Sequence, residues 1–259
     1  LYKPDFIFHL AAQALVRQSY EYPLDTISSN AMGCANILEA IRIYDRPIIG
    51  VIITSDKVYQ NMEWNKGYVE DDKIGGKDPY SASKGMTELM ISSYVESFFN
   101  KPNKEIRIGI ARAGNVIGGG DWAKDRLVPD CIRAWSKNEI VNIRYPNSTR
   151  PWQHVLEPIS GYLTLGADLY SRSINHGEAF NFGPKKNQDH SVKELINEIN
   201  KYWNTVNWKD ISRTDVHHHE AGLLKLNCQK AHDKLEWFSV LDFKETIKLT
   251  IEWYKDYYD

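Results

Sequence analysis

The chain has 259 residues, 42% of them hydrophobic and 25% charged, an ordinary globular balance able to bury one large core or two smaller ones. A net charge of −2 and a pI near 6.5 leave no global basic field, which argues against a nucleic-acid partner or an anionic membrane surface, so any anionic ligand must be met by local cations. Three widely spaced cysteines, Cys34, Cys131 and Cys228, fit a reducing, cytoplasmic setting better than a disulfide framework or a thiolate metal site, and no stretch approaches the ~18 uninterrupted apolar residues of a membrane span.

The first predicted element is a short apolar strand, Phe6-Ile7-Phe8-His9-Leu10. A helix follows from Pro23 to Tyr44, with Ile27, Ala31, Cys34, Leu38 and Ile41 at helical spacing. Ile48-Ile49-Gly50-Val51-Ile52-Ile53 is apolar on both faces, as expected of a parallel strand covered on each side by helices. A glycine-containing polar loop runs from Lys66 to Asp78, then a helix from Tyr80 to Phe99 and a strand from Ile106 to Ala111. This alternation predicts an α/β fold with a doubly wound parallel sheet. Beyond Gly118 the pattern is mixed, with helices near Leu127 to Ser136, Glu157 to Tyr170, Val192 to Trp203 and Phe243 to Tyr254. We therefore expect a partial dinucleotide-binding domain over residues 1–118 and a smaller α+β lobe over 119–259.

Tyr80-Ser81-Ala82-Ser83-Lys84 places a tyrosine and a lysine four apart on one helix face, close enough for the ammonium to stabilise a phenolate and lower its pKa. A chain this rich in both residues offers such a pair by chance, so its position decides its meaning. The pair opens a helix that follows a buried strand ending in Thr54-Ser55-Asp56-Lys57, and ligands of doubly wound sheets bind at strand C-termini.

With a strand-end Thr-Ser upstream of Tyr-x-x-x-Lys, the sequence resembles the extended short-chain dehydrogenase/reductases. The resemblance runs the length of the chain. It implies a Rossmann-type sheet, a nicotinamide cofactor, NAD, and a nucleotide-sugar substrate. His9-Leu10-Ala11-Ala12-Gln13 is similar to the strand that passes along the cofactor, so Ala11, Ala12 and Gln13 are expected there with Thr54, Tyr80 and Lys84. Asn30 falls where the family has an asparagine that braces the active-site backbone. Asn115, in Arg112-Ala113-Gly114-Asn115-Val116-Ile117-Gly118, is implied to face sugar and phosphate. Arg126, Arg144, Arg150 and His154 resemble residues of the nucleotide-sugar lobe; a guanidinium suits a pyrophosphate because it offers forked donors. A homodimer through the helices at 23–44 and 80–99 is implied by the resemblance alone.

Within the family, the residues after the serine sort reactions. A 4-epimerase needs only hydride removal and return, whereas a 4,6-dehydratase must also protonate the departing C6 hydroxyl and remove the C5 proton. Asp56 and Lys57 resemble the dehydratase pair that does this. Most such enzymes carry glutamate where Lys57 stands; the Thr-Ser-Asp-Lys form, Gly118-Gly119-Gly120-Asp121-Trp122 and Arg150-Pro151-Trp152-Gln153-His154 resemble the CDP-glucose branch. The implied roles are Tyr80 as base at C4, aided by Lys84 and Ser55, and Asp56 as acid at C6. Lys57 is either the C5 base or a stabiliser of the enolate, since an amine near ~10.4 is a poor base at neutral pH.

Other features carry less. Gly118-Gly119-Gly120 lacks the spacing of a phosphate-binding loop opening a helix and reads as a turn between lobes. Adjacent residues of His217-His218-His219-Glu220 would point to opposite faces of an extended segment, so no metal site is expected. The aromatics Trp253, Tyr254, Tyr257 and Tyr258 read as packing or surface. No Gly-x-x-Gly-x-x-Gly motif is present, and the start at Leu1 reads as the interior of a longer protein, so loss of the first strands and weak cofactor binding are expected. Another nucleotide-sugar 4,6-dehydratase or 4-epimerase, or a non-catalytic nucleotide-sugar-binding fragment, remains open as an alternative.

Overall fold

A computed structural model describes residues 2–44, 46–101, 105–172, 174–185, 188–212 and 223–259. Strand β1 (Phe6–His9) is followed by a short helix α1 (Val16–Glu21), which no apolar period announces. Helices α2 (Pro23–Ile27) and α3 (Gly33–Tyr44) are joined by a π-helical turn over Ser28–Met32, so the predicted rod from 23 to 44 is continuous. Then come β2 (Ile48–Ile53), α4 (Pro79–Tyr94) with its π-helical extension Val95–Phe99, and β3 (Ile106–Ala113). Pro79 at the first helical position and Asp78, whose carboxylate accepts from the Ser81 N–H at 2.9 Å, start α4 just before Tyr80.

The remaining elements are β4 (Val116–Ile117), α5 (Leu127–Trp135), β5 (Val141–Ile143), β6 (Thr149–Pro151), β7 (Gln153–His154) and α6 (Leu156–Ser171). They are followed by β8 (Ala179–Phe182), β9 (Asp189–Ser191), α7 (Val192–Ile199), β10 (Trp208–Asp210), α8 (Gln229–Leu235) and α9 (Phe243–Tyr258). The segment His217-His218-His219-Glu220 lies outside the described residues.

The main sheet is parallel throughout, in the order β1-β2-β3-β8. Every residue of β2 but the last is buried, as its two-sided apolar run requires. Cys34, Leu38 and Ile41 of α3 and Ile91, Val95 and Phe99 pack on one face against Ile48, Ile52, Ile106 and Ile108. On the other face, Leu165 and Leu169 of α6 and Ala231 and Leu235 of α8 meet Ile49, Val51 and Phe180. A second core joins α5, α7 and α9 through Ile132, Trp135, Leu195, Ile199, Ile247 and Ile251.

The expected cut between residues 118 and 119 is therefore corrected. β8 hydrogen-bonds to β3, and α6 and α8 cover the sheet, so the chain returns to the first layer twice after residue 118. Local periodicity found the helix at 157–170 but carries no information about which core its leucines enter.

Candidate active site

The chain leaves β2 through Thr54 and Ser55 and turns at once in a 3₁₀ turn over Asp56–Val58, with the Ser55 hydroxyl accepting from the Lys57 N–H at 3.2 Å. Ser55 also donates to the Asp56 carboxylate at 3.0 Å. The first turn of α4 lies alongside and brings Tyr80 into the same cleft. Ser19 of α1, fully buried, accepts from the Tyr80 N–H at 3.1 Å and donates to Val16 O at 2.6 Å, fastening the start of α4 from a third segment.

Asp56 is 3% exposed, and burial raises its carboxyl above the usual range, against the pull of Lys57, Ser55 and Arg150. A carboxyl held in this way is suited to give up a proton. Burial also pushes the Tyr80 phenol up to about 12, with the Ser55 hydroxyl working against the rise. That is opposite to the depression the Tyr-x-x-x-Lys spacing predicts. Burial outweighs the Ser55 hydroxyl and the Arg126 charge, and burial also pushes Lys84 down to about 8. Among the described residues the Lys84 ammonium has no hydrogen-bond or ion-pair partner, although it is only 5% exposed.

Asn30, in the π-helical turn, accepts from the Gln13 N–H at 2.8 Å and donates to Gln13 O at 3.0 Å and Ser83 Oγ at 2.8 Å, tying the segment after β1 to α4. The Gln13 side chain turns back to Leu15 and Thr26 and is spent on local structure. Ala11 and Ala12 are exposed beyond the end of β1, and Ala14 and Val16 form the cleft wall in their place. Thr54 lines the cleft, but its hydroxyl donates to Glu88 at 2.6 Å.

The cleft, of about 470 Å³, falls within the ~300–1,000 Å³ of small-molecule sites. Thr54, Ser55, Asp56, Lys57 and Tyr80 face Asn115, Arg126, Arg144 and Arg150 across it. Asn115 holds a left-handed φ of 54°, a conformation asparagine tolerates better than most residues. Arg126 pairs with Asp121 at 2.9 Å, and Arg17 of α1 reaches Asp125 at 2.7 Å.

His154 is the exception. It does not line the cleft. It is 6% exposed, burial lowers its pKa, and its Nδ1 accepts from the Leu156 N–H at 3.3 Å at the start of α6. Pairing of β7 with β4 seats it at the junction of the two layers. Sequence reasoning missed Ser19 and Glu88, the latter four residues past Lys84 on the same face; that spacing was the one available signal.

Known proteins resemble this chain in sequence and in fold. The family described as GDP-mannose 4,6 dehydratase matches residues 1–250. The CDP-glucose 4,6-dehydratase of Salmonella typhimurium is 45% identical over 98% of this chain and 71% of its own length. An epimerase of Methanothermobacter thermautotrophicus has the same fold, with a TM-score of 0.84 at 23% identity, covering 98% of this chain and 73% of that one. A dTDP-glucose 4,6-dehydratase of Streptomyces venezuelae, solved with NAD bound, gives a TM-score of 0.77 at 18% identity over 97% and 73% of the two chains. With the strand-end Ser55-Asp56, the Tyr80-Lys84 helix and both layers of the fold in place, this chain belongs to the GDP-mannose 4,6 dehydratase family.

Proposed function

We propose that the chain catalyses dehydration of CDP-glucose to CDP-4-keto-6-deoxyglucose, an early step of deoxysugar biosynthesis. The observation that carries this reading is Asp56: a buried carboxyl with a raised pKa, next to Ser55, in one cleft with Tyr80. A 4-epimerase has no use for that acid. The substrate rests on likeness to the Salmonella enzyme at 45% identity, supported by Arg144 and Arg150 in the cleft wall as partners for a pyrophosphate.

The residues present fit a nicotinamide dinucleotide. Lys84 offers buried donors with no acceptor among the described residues, as a ribose diol would require, and the backbone beside it is fixed by Asn30. NAD, when bound, supplies the acceptor that takes the C4 hydride and later returns it to C6. Lys84 would hold the ribose, and Tyr80 would border the ring. Burial keeps the Tyr80 phenol protonated, so it would take the C4 hydroxyl proton only once the positive charge of a bound nicotinamide ring lowers its pKa, while Ser55 hydrogen-bonds the same oxygen. The 4-ketone so formed acidifies the C5 proton; Asp56 then gives its proton to the C6 oxygen as water leaves. Lys57, on the same turn, is assigned to the C5 proton or to the enolate left behind. Asn115, Arg126, Arg144 and Arg150 orient the nucleotide sugar.

A homodimer through α2–α3 and α4 belongs to the same reading, as does a cytoplasmic setting, which accords with three free, buried cysteines. No helix among the described residues is long and apolar enough to cross a membrane. The test is mass spectrometry of CDP-, dTDP-, GDP- and UDP-glucose incubated with NAD and the protein expressed from its complete reading frame. Loss of one water from CDP-glucose alone is expected. Preference for another nucleotide overturns the substrate assignment, and loss from none overturns the reaction.

A further inference from the structure

Beneath the cleft, the segments that carry the reacting groups converge on one carboxylate. Glu88 follows Tyr80 and Lys84 on one face of α4 and is 2% exposed. Its Oε1 accepts from Thr54 Oγ1 at 2.6 Å and from Arg112 Nε at 2.8 Å; its Oε2 accepts from Arg112 Nε at 3.1 Å and from Arg112 Nη2. Arg112, on β3, uses Nη1 to donate to Tyr59 Oη and to Glu70 O, both at 2.8 Å. Tyr59 passes the chain on to Asn181 of β8 at 2.7 Å. Two residues beyond Arg112, the backbone of Gly114 lies against the Asp56 carboxylate, so closely that a Cβ there would stand 2.1 Å from Oδ2.

Neither Glu88 nor Arg112 lines the cleft. A buried ion pair is a weak source of stability, because desolvation consumes most of its attraction. What it does supply is direction, since a forked guanidinium–carboxylate pair fixes both distance and angle. Here the pair fixes α4, the end of β2 and β3 relative to one another, and with them Tyr80, Ser55 and the wall behind Asp56.

We propose that Glu88 and Arg112 are positioning residues that hold Tyr80 and Asp56 at a set separation, so that one seated substrate is served by both the C4 base and the C6 acid. This rests on the dehydratase reading above. Thr54→Val removes the single hydroxyl that links the strand end to the pair and leaves Glu88 with Arg112. Its kcat should fall about tenfold with KM for the nucleotide sugar within about twofold, and Glu88→Gln should lose about 100-fold.

A second readout needs no substrate. Titration of the Asp56 carboxyl by carbon NMR should move down toward the ordinary carboxylate range in Thr54→Val, as the carboxyl loosens from its buried seat. A folded Thr54→Val with the wild-type kcat and an unmoved Asp56 titration overturns the proposal, even if its Tm has dropped. If Glu88→Gln does not fold, Thr54→Val decides alone. A wild type that releases water from no nucleotide sugar defeats the dehydratase reading instead, and the Asp56 titration still decides the positioning role.

Discussion

At the scale of single residues, burial sets the chemistry of the site more than neighbouring charge does. Asp56 illustrates it: three favourable partners do not offset its desolvation, and the carboxyl stays raised. Asp56→Asn should slow water loss about 100-fold or more while C4 oxidation stays detectable as reduced cofactor at 340 nm; equal rates of water loss would remove Asp56 from its role. Lys84 shows the cost of such placement. Its pKa falls from 10.5 to about 8, so at pH 7 the folded state carries an ammonium that burial disfavours, at a cost of about 3 kcal/mol. The unfolded chain binds more protons than the folded one between pH ~8 and ~10.5, so this group adds stability as pH rises through that window. Lys84→Met should therefore abolish turnover yet raise the Tm at pH 7, and thermal melts should show the gain shrinking toward pH 10.

At the scale of elements, the site depends on one helix start, one short helix and one strand end. α4 begins where Asp78 and Pro79 dictate, and this capping was readable in the sequence because its rules are local. The fastening of Tyr80 by Ser19 was not readable, since it spans 61 residues and comes from a six-residue helix with no period of its own. The long helices also leave Met32, Ile43, Met86 and Leu89 exposed at 51%, 68%, 43% and 65%, an apolar excess that a homodimer would cover. On that proposal Leu89→Glu should shift the protein to monomer in sedimentation velocity, with the near-ultraviolet spectrum of the fold retained.

At the scale of the whole molecule, two cores meet along the cleft, and glycine-sized gaps let them close. A Cβ on Gly119 would stand 2.1 Å from the Trp253 indole, so the turn between β4 and α5 packs directly on α9. Gly119→Ala should cost ~1–3 kcal/mol through this overlap, read as a lower denaturant midpoint with an unchanged slope. The Arg17–Asp125 pair also spans the cleft mouth, but both side chains are about two-fifths exposed, and such pairs are worth ~1 kcal/mol or less. Packing, not that pair, holds the layers together.

The sequence by itself determined the parallel sheet around Ile48–Ile53, the long helices, and the cleft residues Ser55, Asp56, Lys57 and Tyr80. Each of these follows from a local rule of period, capping or strand-end position. Only the tertiary structure decided that residues 156–182 return to the first layer, that His154 sits beside the start of α6 away from the cleft, and that Glu88 meets Arg112 and Thr54. The first and last of these depend on partners 24 to 69 positions away in the chain, and the second on the pairing of β7 with β4, and local periodicity is blind to such partners.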